Sequence, residues 1–126
     1  ALGNVLNSQT IPHRRAKVVA GAANNQLTSA DDGARLTERG ILYAPDYVVN
    51  AGGVISVAHE YLADSTDERV RGDVCRIPER LHHIFAEAES SARPTNIVAD
   101  ELARRIVAQG APAKGLIQPT AGRRIA

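Results

Sequence analysis

Two segments rich in asparagine and small residues could bind a polar ligand. Residues 21–25, Gly-Ala-Ala-Asn-Asn, follow the apolar run 17–20, and residues 46–53, which contain Asn-Ala-Gly-Gly, follow the apolar run 41–43. A side-chain amide offers both a hydrogen-bond donor and an acceptor, and small residues let a ligand approach the backbone closely. This combination suits a neutral polar group such as a carboxamide.

The two apolar runs are the elements that must position these segments. Each is short and continuously apolar, as parallel strands covered on both faces are, so we expect residues 17–20 to be buried. Cap-type residues precede a short helical stretch, 33–39, which Gly40 should end. Strand, helix and strand in this order predict a right-handed crossover in an α/β fold. The carboxyl ends of parallel strands share one edge of the sheet, which is where α/β proteins bind ligands.

A helical apolar stripe follows in residues 66–90. Gly72 and Pro78 interrupt it, and a proline inside a helix costs about 3 kcal/mol. We therefore expect a kink near Val74, or two shorter helices. Cys75 lies on the apolar stripe and is predicted to belong to the core.

Two further helices are predicted, and a tail. Residues 54–62 have the composition of a buried helix, and residues 95–109 have an apolar stripe that should face inward as far as Val107. After residue 110 the chain is rich in Gly, Pro, Ala and basic residues, so we expect 110–126 to be a mobile tail.

Composition limits the classes of function. The 126 residues carry a net charge of +1, with 44% hydrophobic and 23% charged residues, which is typical of a globular protein and provides no basic footprint for nucleic acid. A single cysteine excludes an internal disulfide. No apolar run suits a membrane span and no signal segment opens the chain, so we expect a cytoplasmic protein. Because the sequence contains no methionine, we expect it to be part of a longer protein.

Three stretches of the sequence carry a family resemblance. ALGNVLNSQTIP, AKVVAGAANNQL and RGILYAPDYVVNAGGVI resemble the nucleotide-binding domain of the glutamate/leucine/phenylalanine/valine dehydrogenase family, and most closely its leucine and valine dehydrogenase branch. The match is close over residues 1 to about 60 and loose over 66–109. The resemblance implies that residues 1–109 are the C-terminal half of a Rossmann-like NAD-binding domain followed by C-terminal helices.

The resemblance also implies a set of cofactor-binding residues for NAD. Asn24 would contact the nicotinamide ribose region, and Asn50 would lie near the nicotinamide carboxamide. Ala1 and Leu2 match a family turn beside the cofactor. From residue type alone, the asparagines after residue 23 could equally form a tight turn, in which asparagine tolerates left-handed backbone.

Three other positions match the family's substrate-binding residues. Asn25 would touch the amino-acid substrate, and Val54 and Val57 would line the pocket for its side chain. Two valines make an aliphatic wall, against which an unpaired glutamate carboxylate would be costly to bury. The sequence therefore favours branched-chain amino acids as substrates, although both valines also suit an ordinary helix core.

The reaction that the resemblance implies is oxidative deamination of an amino acid to a 2-oxo acid and ammonia. The chain contains no GxGxxG segment, and Lys17 and Lys114 match neither of the family's two catalytic lysines. No catalytic residue is assigned, and we expect this chain to be inactive in isolation. In the full-length protein we expect a homo-oligomer.

Other functions are less favoured. A non-catalytic interaction module, or a degenerate remnant of such an enzyme, stays as the alternative. His59-Glu60 and His82-His83 lack an HExxH pattern, so no metal site is expected, and Ser56 lacks the GxSxG surroundings of a hydrolase nucleophile. His59 stands where many members of the family carry an acidic residue.

Overall fold

The computed structural model describes residues 2–61 and 66–109 of the chain. In this part, a two-stranded parallel sheet is combined with one 3-10 helix and six α-helices. The elements are the 3-10 helix Ile11–His13, β1 Val18–Val19, α1 Ala30–Glu38, β2 Leu42–Tyr43, α2 Asp46–Val49, α3 Ala51–Tyr61, α4 Asp67–Cys75, α5 Ile77–Ser91 and α6 Thr95–Ala108. The predicted α/β class with C-terminal helices is confirmed. Ala1 and the tail 110–126 lie outside the described residues, so both predictions about them remain predictions.

The strand–helix–strand unit has the predicted order. Val18 pairs with Leu42 and Val19 with Tyr43 in parallel register, with α1 as the connection. Ser29 and Asp32 form a capping box at the start of α1, which satisfies backbone N–H groups that have no partner inside the helix. The left-handed Gly40, with φ of 65°, follows the end of α1, as predicted.

Two apolar clusters hold the elements together. The first lies between α1, β2 and the N-terminal segment and consists of Leu6, Ile11, Leu36, Ile41 and Tyr43. The second lies between α5 and α6 and consists of Ile84, Ala88, Val98 and Ala99. Burial of these apolar side chains is the main stabilising term for both interfaces.

The break predicted in the long helical stretch is confirmed. α4 ends at Cys75 and α5 begins at Ile77, with Arg76 between them and Pro78 in the first turn of α5, where a missing N–H costs little. The prediction that Cys75 is core is wrong, because its side chain is exposed. Val74, the preceding residue, takes the place against α3 instead.

Three predictions of burial are wrong. Val18 in β1 is 56% exposed, and Ile106 and Val107 in α6 are 58% and 79% exposed. Across Ala51–Tyr61 the structure buries no residue, although the sequence of α3 is largely apolar. An apolar helix face predicts that something covers it, but the pattern does not say which residues do. In the described residues α4 packs on one side of α3 and leaves Val54, Val57 and Tyr61 exposed.

α6 closes the structure by returning to β2 and α2. Thr95 Oγ1 donates a hydrogen bond to the Tyr43 carbonyl at 2.7 Å, across a separation of 52 positions in the chain. Tyr47 Oη donates to Asp100 Oδ1 at 2.7 Å and to the Asn96 carbonyl at 3.2 Å. Burial, followed by the hydrogen bond to Asp100, raises the pKa of Tyr47 well above its ordinary value.

Close packing between α1 and α6 depends on a glycine. A Cβ atom at Gly33 would overlap Oδ1 of Asn96, whose Nδ2 donates to the Ala30 carbonyl at 3.2 Å. Asn96 is buried, and its Oδ1 has no hydrogen-bond partner among the described residues. The two helices can therefore approach this closely only because residue 33 has no side chain.

Candidate functional site

The turn after β1 is held by hydrogen bonds from Gln26 and Asn4. Gln26, which is 4% exposed, donates from Nε2 to the carbonyls of Gly21 and Ala23, each at 2.9 Å. Asn25 adopts left-handed backbone with φ of 54°, which asparagine tolerates better than most residues. The Asn4 backbone N–H donates to the Asn25 carbonyl at 2.7 Å. Residues 21–25 are thus held as a defined turn, which we call the amide turn.

A buried carboxylate joins the amide turn to the end of β2. Asp46 Oδ2 accepts from the Asn25 backbone N–H at 2.7 Å, and Asp46 Oδ1 accepts from Tyr43 Oη at 2.6 Å. Burial, and next the hydrogen bond to Asp46, raises the pKa of Tyr43 well above its ordinary value. No role for Asp46 is predicted from the residue pattern alone. The one local indication of its contact with Tyr43 is that the two residues are three positions apart at the end of β2.

Asn50 brings the second segment against the amide turn. Its Nδ2 lies 3.3 Å from Asn24 Oδ1 and 3.5 Å from the Gly21 carbonyl oxygen. Within the described residues, Asn50 Oδ1 and Asn24 Nδ2 take part in no hydrogen bond. One amide acceptor and one amide donor therefore remain side by side at the sheet edge, which matches the donor and acceptor of a primary carboxamide.

An open groove of about 610 Å³ lies beside these two amides. Gly52 and Gly53 fall in the first turn of α3 and leave its surface bare on the groove side. The side chain of Val74 in α4 would contact a Cβ built at Gly52 at 3.9 Å, so α4 forms one wall. The lining residues are Ala22, Asn24, Val49, Asn50, Gly52, Gly53, Val54, Val74 and Ile77.

The predicted site residues are only partly brought together. Asn24, Asn50 and Val54 line the groove, whereas Asn25 and Val57 do not. Val57 lies further along α3 and is 64% exposed, and Val54 itself is 74% exposed.

Leu2 lies at the margin of the site. It is 79% exposed and precedes Gly3, whose backbone packs against the carbonyl oxygens of Asn24 and Asn25. A Cβ atom at Gly3 would lie 3.4 Å from the Asn24 oxygen and 3.3 Å from the Asn25 oxygen. The N-terminal segment therefore touches the amide turn, while the Leu2 side chain points to solvent.

Toward its C-terminal end, α3 is hydrogen-bonded to α4. His59 Nε2 lies 2.8 Å from Asp73 Oδ2, and Arg76 Nη1 lies 3.7 Å from Asp73 Oδ1. The hydrogen bond from His59 lowers the pKa of Asp73, and Arg76 adds to this effect. The residue pattern does not predict this contact, because His59 and Asp73 are fourteen positions apart on different helices.

The side chains that line the groove suit binding rather than proton transfer. Amides and glycines orient a ligand through hydrogen bonds and close backbone approach, and valines supply apolar contact, but none of them transfers a proton near neutral pH. In residues 2–61 and 66–109, no three His, Cys, Asp or Glu side chains are grouped so that they could hold a metal ion. No helix in the same residues is long and apolar enough to cross a membrane.

Known proteins are similar in sequence to this chain over most of its length. The profile of the family described as Glutamate/Leucine/Phenylalanine/Valine dehydrogenase matches residues 1–115. Leucine dehydrogenase of Geobacillus stearothermophilus is 47% identical over 103 residues, which cover 82% of this chain and 28% of that enzyme. Valine dehydrogenase of Streptomyces coelicolor is 46% identical over 112 residues, covering 89% of this chain and 30% of that enzyme.

The fold is shared as well. The crystal structure of L-tryptophan dehydrogenase from Nostoc punctiforme aligns with a TM-score of 0.80 and 42% sequence identity, over 86% of this chain and 32% of that one. The chain thus spans 28% and 30% of the length of the leucine and valine dehydrogenases that it matches. On the match over residues 1–115 and on this common fold, the chain belongs to the glutamate/leucine/phenylalanine/valine dehydrogenase family.

Proposed function

We propose that this chain is part of an NAD-dependent amino-acid dehydrogenase and forms one wall of its cleft. The observation that carries the proposal is the pairing of Asn24 and Asn50 at the sheet edge, with one amide donor and one acceptor left over beside the groove. Residues 1–109 would be part of the NAD-binding domain. The similarity to leucine, valine and tryptophan dehydrogenases supports this activity class.

The residues of this chain would bind and orient the reactants. Asn50 and Asn24 fit the carboxamide and ribose side of a nicotinamide, because their remaining acceptor and donor complement a primary amide. NAD, when bound, supplies the hydride acceptor for oxidation of the amino-acid α-carbon. Holding the nicotinamide in one orientation directs one face of its ring toward the substrate, which is the contribution that binding residues make to rate.

The substrate that fits best is a branched-chain L-amino acid. Val54 lines the groove with an aliphatic side chain, and Val57 follows it on α3. The glutamate carboxylate would find no cationic partner in these two side chains. Two relatives are named for larger amino acids, one a phenylalanine dehydrogenase and the other an L-tryptophan dehydrogenase. An activity test must therefore include aromatic amino acids.

The remaining proposals concern the whole protein. We propose that the chain alone is inactive, since its sequence contains no GxGxxG segment and no match to the family's lysines. For the full-length protein we propose a cytoplasmic homo-oligomer. Light scattering of that protein would test the oligomer.

The decisive experiment measures NADH absorbance during oxidation of L-leucine, L-valine, L-phenylalanine, L-tryptophan and L-glutamate. It uses this 126-residue chain and the longest reading frame that contains it. We expect activity on leucine or valine from the longer protein alone. In that protein, Asn50→Ala should raise KM for NAD about tenfold through loss of a ligand hydrogen bond, whereas the exposed amide variant Gln9→Ala should not. A folded longer protein that oxidises none of these amino acids would refute the proposal.

A non-catalytic interaction module is the second candidate, and one observation favours it. Val54, Val57 and Tyr61 form an exposed apolar stripe on α3, at 74%, 64% and 72% exposure. Such a face is normally covered by other protein. If the longer protein proves inactive but retains a partner through this stripe, the interaction module becomes the better account.

A further inference from the structure

Asp46 is the side chain that connects both halves of the groove's polar edge. It is 7% exposed, and each of its carboxylate oxygens accepts one short hydrogen bond, at 2.6 Å from Tyr43 Oη and at 2.7 Å from the Asn25 N–H. Among the described residues, no arginine, lysine or histidine forms an ion pair with it. Its two carboxyl oxygens are therefore satisfied by two neutral donors, and the positions of both donors depend on it.

The two donors lie at or after the ends of different strands. Tyr43 ends β2, and Asn25 ends the amide turn that follows β1. Asn25 is the residue whose left-handed backbone sets the direction of that turn. Asp46 thus contacts the turn through the Asn25 backbone, while Asn50, four residues further on, contacts the Asn24 side chain.

The backbone ties Asp46 to Asn50 directly. The Asn50 N–H donates to the Asp46 carbonyl at 2.8 Å, across the single turn of α2. A movement of Asp46 would therefore shift both amides that line the groove: Asn24 through the amide turn, and Asn50 through α2. We propose that Asp46 is a positioning residue, which touches no ligand but sets the relative placement of Asn24, Asn25 and Asn50. This inference rests on the proposed function.

The test compares two substitutions in the longest reading frame that contains the chain. Asp46→Ala removes both acceptors, so we expect kcat/KM for leucine to fall about 100-fold, the scale of a 1 Å misplacement in an active site. Asp46→Asn keeps an acceptor for the Asn25 N–H and offers its Nδ2 to the Tyr43 oxygen. It should restore kcat/KM to within about fivefold of the parent protein.

The chain provides matched controls. Tyr47 and Asp100 form a second tyrosine–aspartate hydrogen bond, at 2.7 Å, between α2 and α6 and on the exposed surface. Neither residue lines the groove. Asp100→Ala should leave kcat/KM within about twofold of the parent value, because a lost exposed bond away from the site has a small effect.

A readout independent of turnover is amide hydrogen exchange in residues 21–27. Asp46→Ala should accelerate exchange at the Asn25 N–H at least about tenfold, since its acceptor is lost, while Asp100→Ala should not. If Asp46→Ala does not fold, Tyr43→Phe replaces it, with Tyr47→Phe as control. Only Tyr43→Phe should lower kcat/KM, by about three- to tenfold, through the loss of one oriented hydrogen bond.

The outcomes separate the inference from the proposed function. An inactive parent protein overturns both. An active parent in which folded Asp46→Ala keeps kcat/KM and exchange unchanged overturns the inference alone, as does Tyr43→Phe matching Tyr47→Phe. Equal impairment of Asp46→Asn and Asp46→Ala also overturns it, because the negative charge, rather than the placement of the turn, would then be responsible.

Discussion

His59 and Asp73 connect α3 to α4 through a hydrogen bond of 2.8 Å between Nε2 and Oδ2. The residue next to Asp73 is Val74, which forms a wall of the groove against Gly52. The pair thus fastens the helix that carries this wall. An acidic residue at position 59 would repel Asp73, so this fastening depends on the histidine of this chain.

The first prediction concerns acid stability. The His59 hydrogen bond lowers the pKa of Asp73 in the folded protein, so the folded state binds this proton less readily than the unfolded state. The contribution is therefore complete above the unfolded value, about 4, and is lost as pH falls through the depressed pKa. Between pH 5 and pH 2, the difference in Tm between the parent protein and Asp73→Asn should shrink toward zero.

A second histidine–carboxylate pair, on α5, serves as the control for the effect of His59 on the pKa of Asp73. His83 Nε2 lies 3.6 Å from Glu87 Oε2 and does not contact Asp73. In a carboxyl-carbon NMR titration, His59→Gln should raise the pKa of Asp73 and His83→Gln should leave it unchanged. An unchanged Asp73 titration in His59→Gln would show that the histidine is not the cause.

The second prediction uses two glycines in helices. Gly33→Ala should destabilise the protein by about 1–3 kcal/mol, because the new methyl group overlaps the buried Asn96 side chain. Gly72 in α4 has nothing within 4 Å of a built Cβ, so Gly72→Ala should stabilise by about 0.5–1 kcal/mol. Urea unfolding measures both. Equal effects of the two substitutions would contradict the close packing of α1 on α6.

A third prediction separates the two valines of α3. Val54 lines the groove and Val57 does not, so Val54→Ala should reduce kcat/KM for leucine by about tenfold and Val57→Ala by less than about threefold. Steady-state kinetics of the longer protein would measure this. The reverse order would mean that the pocket wall lies further along α3 than the groove does.

The fourth prediction is the reactivity of Cys75. Its side chain is exposed at the end of α4, so a thiol reagent such as DTNB should titrate one group in this chain without denaturant. Protection of the thiol until urea is added would indicate that α4 packs differently, or that other protein covers it.

The sequence predicted local structure well where one residue type has a strong conformational effect. Gly40 ended α1 and Pro78 began α5, since both residues restrict or permit backbone angles by themselves. The amide turn was located correctly because small residues and asparagines follow an apolar run. These signals act over a few residues, so no knowledge of the distant chain is needed to read them.

Burial and pairing were harder to predict because they depend on residues far apart in the chain. Val18 and Val107 have apolar side chains, but their exposure depends on which surfaces meet them. Asp46 and His59 gave no strong pattern, because their partners Asn25 and Asp73 lie 21 and 14 positions away. Sequence spacing alone cannot choose among so many possible partners.

The hydrogen bond from Thr95 to Tyr43 has a consequence for the order of events on the ribosome. Synthesis proceeds from the N-terminus, so β1, the amide turn and β2 all emerge before α6, which packs against β2. Until α6 emerges, the Tyr43 carbonyl and the Tyr47 hydroxyl lack their partners from residues 95–100. The nascent chain therefore lacks the contacts of α6 with β2 and α2 until residues 95–100 have emerged.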